Sequence, residues 1–126
     1  MADHQVGHRD PAIRVVLLPR DTNNHGTIFG GIILSYIDLA AAAQVRRLTS
    51  QRIVTVAIKE VVFKAPVMVG EVVSFYTAVS KIGKTSISVH VEVEVDRGKE
   101  YIPVTQADVT FVCVDQDGHP TPVIRD

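Results

Sequence analysis

The chain has 126 residues, of which 46% are hydrophobic and 21% charged, values typical of one globular domain. Its net charge of −1 provides no basic field for nucleic acid or an anionic membrane, and 6% aromatic residues are too few for a base-stacking platform. The single cysteine, Cys113, excludes an intrachain disulfide and a cysteine-rich zinc site.

Residues 1–11 are polar, and we expect a flexible N-terminus ahead of a single domain over 12–126. This N-terminus has no apolar signal segment, and no uncharged apolar run is long enough to span a membrane. We therefore expect a cytoplasmic protein. The sequence "AIRVVLLP", from Ala12 to Pro19, predicts a short strand that the proline ends, and "RDTNNHG" predicts a turn.

The segment from about 28 to 48 is too long for a typical strand, and its basic end suits the C-terminus of a helix. We predict a helix that is apolar on most sides and therefore buried. Asp38 is its only acid, and burying an ionised carboxylate is costly unless something compensates it. Gly30 and Gly31 stand near its start, where glycine lets a ligand approach the backbone closely.

After the helix the hydrophobic period changes to alternation, which predicts strands. In the clearest one, Ile87 and the valines at 89, 91, 93 and 95 share one face. The connections after residue 53 are short and favour hairpins. A single helix must then cover one face of an antiparallel sheet of about five strands, which is the α+β arrangement called the hotdog fold. The four strands are predicted in "RIVTVAIKEVVFK", "EVVSFYTAVSKIG", "KTSISVHVEVEVDRG" and "YIPVTQADVTFVCVD".

Several segments closely resemble the acyl-CoA thioesterases of the hotdog fold, in particular the YciA-like group. They are "DTNNHGTIFGGIILSYIDLAAAA", "VTVAIKEVVFKAPVMVGEVVSFY", "KIGKTSISVHVEVEV" and "VTQADVTFVCVD". The most specific part is "IFGG" with an aspartate eight residues after the first glycine. The resemblance implies hydrolysis of acyl-coenzyme A to a free acid and coenzyme A, with no cofactor. It also implies a homodimer, commonly assembled further into a hexamer, with active sites between subunits.

Within this family the resemblance implies that Asp38 is the general base or nucleophile, and that helix amides at Gly30 and Gly31 polarise the thioester carbonyl. Asn23 is a further catalytic candidate through its side-chain amide. The alternative is that Asn23 only stabilises the turn, in which asparagine is common. Eight helical residues span about 12 Å, whereas an oxyanion donor must lie about 3 Å from the oxyanion. Gly30 and Asp38 of one chain therefore cannot flank one thioester, but two antiparallel helices of a dimer can.

The segment "KIGKTS" resembles the family's coenzyme A loop, and a solvated basic turn is the alternative. Its lysines can pair with phosphates, and its hydroxyls can donate hydrogen bonds. The substrate-binding candidates are His25, Lys81, Lys84, Thr85, Ser86 and Arg125. The sequence departs from close relatives at the "NNHGT" turn around His25 and in its short end, "PVIRD". No pair among His4, His8 and His119 has metal-ligand spacing on a predicted helix, so we expect no metal.

Two other functions are compatible with the same residues. A hotdog dehydratase or hydratase would use His25 and Asp38 as its acid–base pair, but the turn lacks the paired His and Pro spacing of such enzymes. A non-enzymatic module would bind acyl-coenzyme A and leave it intact. The acyl chain length depends on how Tyr36, Phe63 and Phe75 pack across the subunit interface, which the sequence does not reveal.

Overall fold

The computed structural model describes residues 9–126, and within them one α-helix packs against a five-stranded antiparallel sheet. The predicted α+β hotdog architecture is confirmed. No helix in this range is long and apolar enough to cross a membrane. The predicted flexible N-terminus falls mostly on residues 1–8, outside the described residues, and stays a prediction. The elements are β1 (Ile13–Val16), α1 (Gly30–Arg46), β2 (Arg52–Lys59), β3 (Val72–Ile82), β4 (Ser86–Arg97) and β5 (Glu100–Val114).

The strands are arranged in the order β1-β3-β4-β5-β2. β3, β4 and β5 form the two predicted hairpins. The prediction of a hairpin after β2 is wrong, because β2 pairs with β5 and residues 60–71 return the chain to β3. The helix lies in the connection from β1 to β2 and carries the chain from one edge of the sheet to the other. β2 is therefore an edge strand whose outer side is open to another chain.

The core lies between the helix and one face of the sheet. The predicted alternation of β4 is confirmed, since every second residue from Ile87 to Val95 is buried. Ile33, Ile37 and Ala41 of α1 cover this face at the four-residue spacing that aligns side chains along a helix. The period-two pattern thus sets which side of the sheet the helix must cover.

The helix is buried on one face only, so the expectation that it would be buried on most sides is wrong for the single chain. Its open face carries Leu39, whose side chain is 59% exposed. Two apolar residues of the open edge strand β2, Val54 and Val56, are also exposed. Asp38 lies at the border between the two faces and is half-buried. An apolar surface of this kind is typical of a contact with another subunit.

β2 ends earlier than its hydrophobic pattern predicted, because Glu60 adopts a left-handed backbone conformation with φ 59°. This conformation costs a residue with a Cβ roughly 1–2 kcal/mol and costs glycine almost nothing. We expect Glu60→Gly to stabilise the fold by up to about 1 kcal/mol, as a higher midpoint of urea unfolding. Lys59→Gly, one residue earlier inside β2, is the control and should lower the midpoint. Equal losses in both variants would contradict the prediction.

The loop of residues 60–71 is tied to the elements around it. The Lys64 amide donates to the Val104 carbonyl at 2.7 Å, and Thr105 Oγ1 donates to the Val62 carbonyl at 2.7 Å. At the far end of the loop, the Arg97 guanidinium bonds the Glu71 carboxylate and holds the pKa of that carboxyl below its usual value. The loop therefore forms a fixed wall beside the start of the helix.

Candidate active site

The start of α1 presents two unpaired amides. Phe29 precedes the helix in an extended conformation, and no side chain within residues 9–126 caps it. The Ile32 amide donates to the Phe29 carbonyl at 2.9 Å, but the amides of Gly30 and Gly31 meet no acceptor in the described chain. Two free donors at the positive end of a helix dipole form a site for a carbonyl oxygen that gains negative charge.

Two phenyl rings flank this glycine pair. A Cβ built on Gly30 would lie 3.5 Å from Phe63 Cζ, and one built on Gly31 would lie 2.7 Å from Phe29 Cε2. Both rings are largely exposed, Phe29 to 56% and Phe63 to 45%. The two rings therefore provide apolar surface next to the glycine pair.

Asp38 lies two turns further along the helix and is held by Thr55, a residue that the sequence pattern did not indicate. Thr55 Oγ1 donates to Asp38 Oδ1 at 2.8 Å, and the other carboxylate oxygen has no partner among the described residues. Thr55 lies on β2 beside a register shift at Val56, and such a bulge redirects neighbouring side chains. The only feature of the sequence that could have indicated Thr55 is that it is the one hydroxyl residue in the apolar run "IVTVAI".

Asn23 and His25 lie in the turn that leads into the helix. Asn23 Oδ1 accepts from the amides of His25 at 2.8 Å and Thr27 at 3.3 Å, while its Nδ2 donates to Thr27 Oγ1 at 2.8 Å. These contacts give Asn23 a structural function in the turn, and its catalytic function stays a prediction. His25 is exposed at the tip of the turn.

The segment from Lys81 to Ser86 forms the β3–β4 turn at the opposite end of the helix. The Val123 amide donates to the Lys84 carbonyl at 2.9 Å, and the Asp126 amide donates to the Leu48 carbonyl at 2.8 Å. The C-terminal segment, with exposed Arg125, thus lies between this turn and the end of α1. The structure brings these phosphate-binding candidates to one end, and a helix of 17 residues, about 25 Å long, separates them from Gly30.

One group of potential metal ligands comes together within residues 9–126. Ligand atoms of Asp115, Asp117 and His119 lie within 4.8 Å of one another, and all three residues are exposed. Asp115 Oδ1 accepts from the amides of the other two at 2.9 Å. This hydrogen bonding of the turn after β5 accounts for their approach, and the expected absence of a metal stays a prediction.

The sequence predicted that Tyr36, Phe63 and Phe75 pack across the subunit interface, and for Phe75 this prediction is wrong. Phe75 is fully buried in the core beneath the helix, with its ring centroid 5.6 Å from that of Tyr36. It cannot line an interface pocket, because its position in β3 points it at the helix. Phe63 does lie at the site, beside Gly30.

Comparison with known proteins gives consistent matches over most of the chain. The profile of the thioesterase superfamily matches residues 25–102. Acyl-CoA thioester hydrolase YciA of Escherichia coli is 36% identical, over 93% of this chain and 92% of that protein. A hexameric hotdog fold thioesterase of Campylobacter jejuni superposes with a TM-score of 0.85 at 46% identity, over 91% of this chain and 90% of that one.

A third relative bears on the Asp38–Thr55 pair. The acyl-CoA hydrolase of Staphylococcus aureus, solved in complex with butyryl coenzyme A and coenzyme A, has a TM-score of 0.82 and 29% identity, over 90% of this chain and 70% of that one. Two variants of that enzyme were also solved, with an aspartate or a threonine replaced by alanine, and these two residues are 17 positions apart. Asp38 and Thr55 have the same spacing of 17.

Proposed function

The chain belongs to the thioesterase superfamily, and on that premise we propose that it hydrolyses acyl-coenzyme A to a free carboxylic acid and coenzyme A. The observation that carries the proposal is the combination, on one helix, of two free N-terminal amides with a carboxylate held by a threonine. Thioester hydrolysis requires both parts, an oxyanion hole and a base or nucleophile.

The two parts are brought together by pairing two chains. Gly30 and Asp38 of one chain are separated by about 12 Å of helix, so they cannot contact the same carbonyl. A second chain that packs on the open helix face and the β2 edge, with its helix antiparallel, places Gly30 of the partner subunit opposite Asp38. Each homodimer then has two equivalent sites. Relatives are hexameric, and we propose the same assembly from dimers for this chain.

In each site the amides of Gly30 and Gly31 donate to the thioester carbonyl, and Asp38 from the other chain faces its carbon. As a general base, Asp38 takes a proton from water while the water oxygen bonds to that carbon. As a nucleophile, its free carboxylate oxygen forms the bond itself, and water later hydrolyses the anhydride. In both routes the carbon–sulfur bond breaks, and the sulfur leaves with the electron pair and is protonated. Thr55 is a positioning residue, because its hydrogen bond fixes the carboxylate.

The phosphates of coenzyme A are proposed to bind at the turn formed by Lys81 to Ser86, together with Arg125. The helix ends about 12 Å beyond Asp38, and the C-terminal segment links this helix end to the turn, which leaves space for the pantetheine arm between Asp38 and the turn. One subunit would thus supply the base and the phosphate contacts, and its partner the oxyanion hole. We also propose that the exposed His25, in the turn before the helix, contacts the substrate. A cytoplasmic location agrees with a coenzyme A substrate.

Replacing a phosphate contact should weaken binding more than catalysis. Lys84→Ala is expected to raise KM for acyl-coenzyme A several-fold and to leave kcat within about twofold, because phosphate contacts are similar in ground and transition states. Steady-state thiol release measures both constants. Lys99→Ala, which removes an exposed lysine from the β4–β5 turn, is the matched control. An unchanged KM for Lys84→Ala would indicate that the turn is only a solvated basic hairpin.

The proposed reaction is tested by thiol release from acetyl-, butyryl-, decanoyl- and crotonyl-coenzyme A. A thioesterase releases free thiol from one or more of them. A hydratase would consume the double bond of the crotonyl ester and release no thiol. A binding module would retain the esters intact, which mass spectrometry of the bound ligand would detect. Either of the last two results would overturn the proposal.

A further inference from the structure

A cavity of about 320 Å³ lies beside the helix start, between α1 and the loop of residues 60–71. It adjoins Gly30, whose free amide is one of the two carbonyl-binding donors. Its walls are the first turn of the helix, the loop and one residue of β5. The lining residues are Ile28, Gly30, Ile33, Phe63, Lys64, Ala65, Pro66, Val67 and Val104.

The backbone around the cavity has most of its hydrogen bonds already made. The Ile28 amide donates to the Val67 carbonyl at 2.8 Å, and the Lys64 amide donates to the Val104 carbonyl at 2.7 Å. Apart from Lys64, the lining side chains are apolar. A pantetheine arm carries two amides that would find few partners there, and burying them unpaired is costly. A hydrocarbon chain needs no such partners.

Phe63 is next to Gly30 in the wall of this cavity. Its ring lies 3.5 Å from the Cβ position of Gly30 and also lines the cavity. The residues on both sides of it form hydrogen bonds with β5, since Val62 accepts from Thr105 and Lys64 donates to Val104, and these bonds fix its backbone. A thioester carbonyl held at Gly30 would therefore have one of its substituents beside this ring and the cavity.

We infer that this cavity takes the acyl chain of the substrate and that Phe63 and Ala65 set which chain lengths are hydrolysed. The inference rests on the proposed function, because it requires the thioester carbonyl at Gly30. A cavity of about 150 Å³ holds benzene, so twice that volume accommodates on the order of ten carbons. The enzyme should accept short and medium chains.

The test compares kcat/KM for acetyl-, hexanoyl-, decanoyl- and tetradecanoyl-coenzyme A. Ala65→Leu adds three carbons to the cavity wall and should lower the decanoyl-to-acetyl ratio at least tenfold, since lost space for a few methylenes costs this much. Phe63→Ala removes a ring from the cavity wall, which enlarges the cavity, and should raise the tetradecanoyl-to-acetyl ratio several-fold. Ala78→Leu, the same substitution on the exposed outer face of β3, is the control and should retain the parent's ratios.

The results separate the inference from the proposed function. A parent protein that releases no thiol from any ester refutes the proposed function and the inference with it. An active parent whose Ala65→Leu variant loses activity equally for all chain lengths refutes the inference alone, because the cavity would then hold the common coenzyme A half. Unchanged ratios in both Ala65→Leu and Phe63→Ala refute it as well. If Ala65→Leu does not fold, as checked by circular dichroism, Phe63→Ala decides the question.

Discussion

Asp38→Asn is expected to lower kcat for acyl-coenzyme A hydrolysis by about a hundredfold or more, the range typical of a lost acid–base group. Asparagine keeps the shape of the side chain, and Thr55 Oγ1, now 2.8 Å from Asp38 Oδ1, can still donate to its amide oxygen. The charge and the basic oxygen are lost, so the chemical step should fail while coenzyme A still binds. Single-turnover thiol release and calorimetric binding of coenzyme A measure these two quantities separately.

Substitutions of Thr55 test whether its hydrogen bond positions the Asp38 carboxylate, and a smaller loss of activity is expected. Thr55→Val keeps the shape and removes the hydroxyl, and a hydrogen bond to a charged group contributes about 1.5–3 kcal/mol, so a loss of roughly tenfold or more in kcat is expected. Thr55→Ser keeps the hydroxyl and should restore most of the activity. Near-normal turnover of Asp38→Asn would remove Asp38 from the mechanism, whatever Thr55 does.

If each active site takes residues from two chains, a dimer of two differently inactivated chains should regain activity. Gly30→Pro removes one carbonyl-binding amide but suits the first position of a helix. Phe29 before it has ψ 130°, an extended conformation that a following proline favours. Loss of one oxyanion donor costs about a hundred- to a thousandfold in kcat. Homodimers of Gly30→Pro and of Asp38→Asn should therefore both be inactive.

In a mixed dimer of these two variants, one site contains both substitutions and the other site contains neither, because each site takes Asp38 from one chain and Gly30 from the other. Each such dimer should recover up to about half the activity of the parent dimer. The two variants can carry different affinity tags, so that sequential purification after co-expression isolates the mixed species. Circular dichroism and light scattering must show that each variant folds and assembles like the parent. Under that control, mixed dimers without activity, or a monomer that is active at high dilution, would contradict the shared site.

Much of the fold was predictable because its signals are local. The strict alternation from Ile87 to Val95 predicted a strand with one buried face, and β4 shows it. The length of the apolar segment from about 28 to 48 and its basic end predicted a helix, and α1 spans Gly30–Arg46. The resemblance carried by "IFGG" and the aspartate at 38 predicted the family, and the superfamily profile confirms it.

Features that depend on long-range pairing were not predictable in this way. The hydrophobic pattern after residue 52 continues to 64, yet β2 ends at Lys59, where Glu60 adopts a left-handed backbone conformation. Nothing in the pattern shows that β2 crosses to β5, since strand order depends on contacts far apart in sequence. The same pairing puts Thr55 against Asp38 across 17 residues.

The sequence by itself determined the period of each element, the acid on the helix and the glycines at its start, because each is a property of a few neighbouring residues. The tertiary structure decided which residues surround them. It placed Phe63 against Gly30, buried Phe75 in the core, and left one face of the helix open. These outcomes depend on how a single sheet curves over a single helix and covers only one side of it, and no local pattern carries that information.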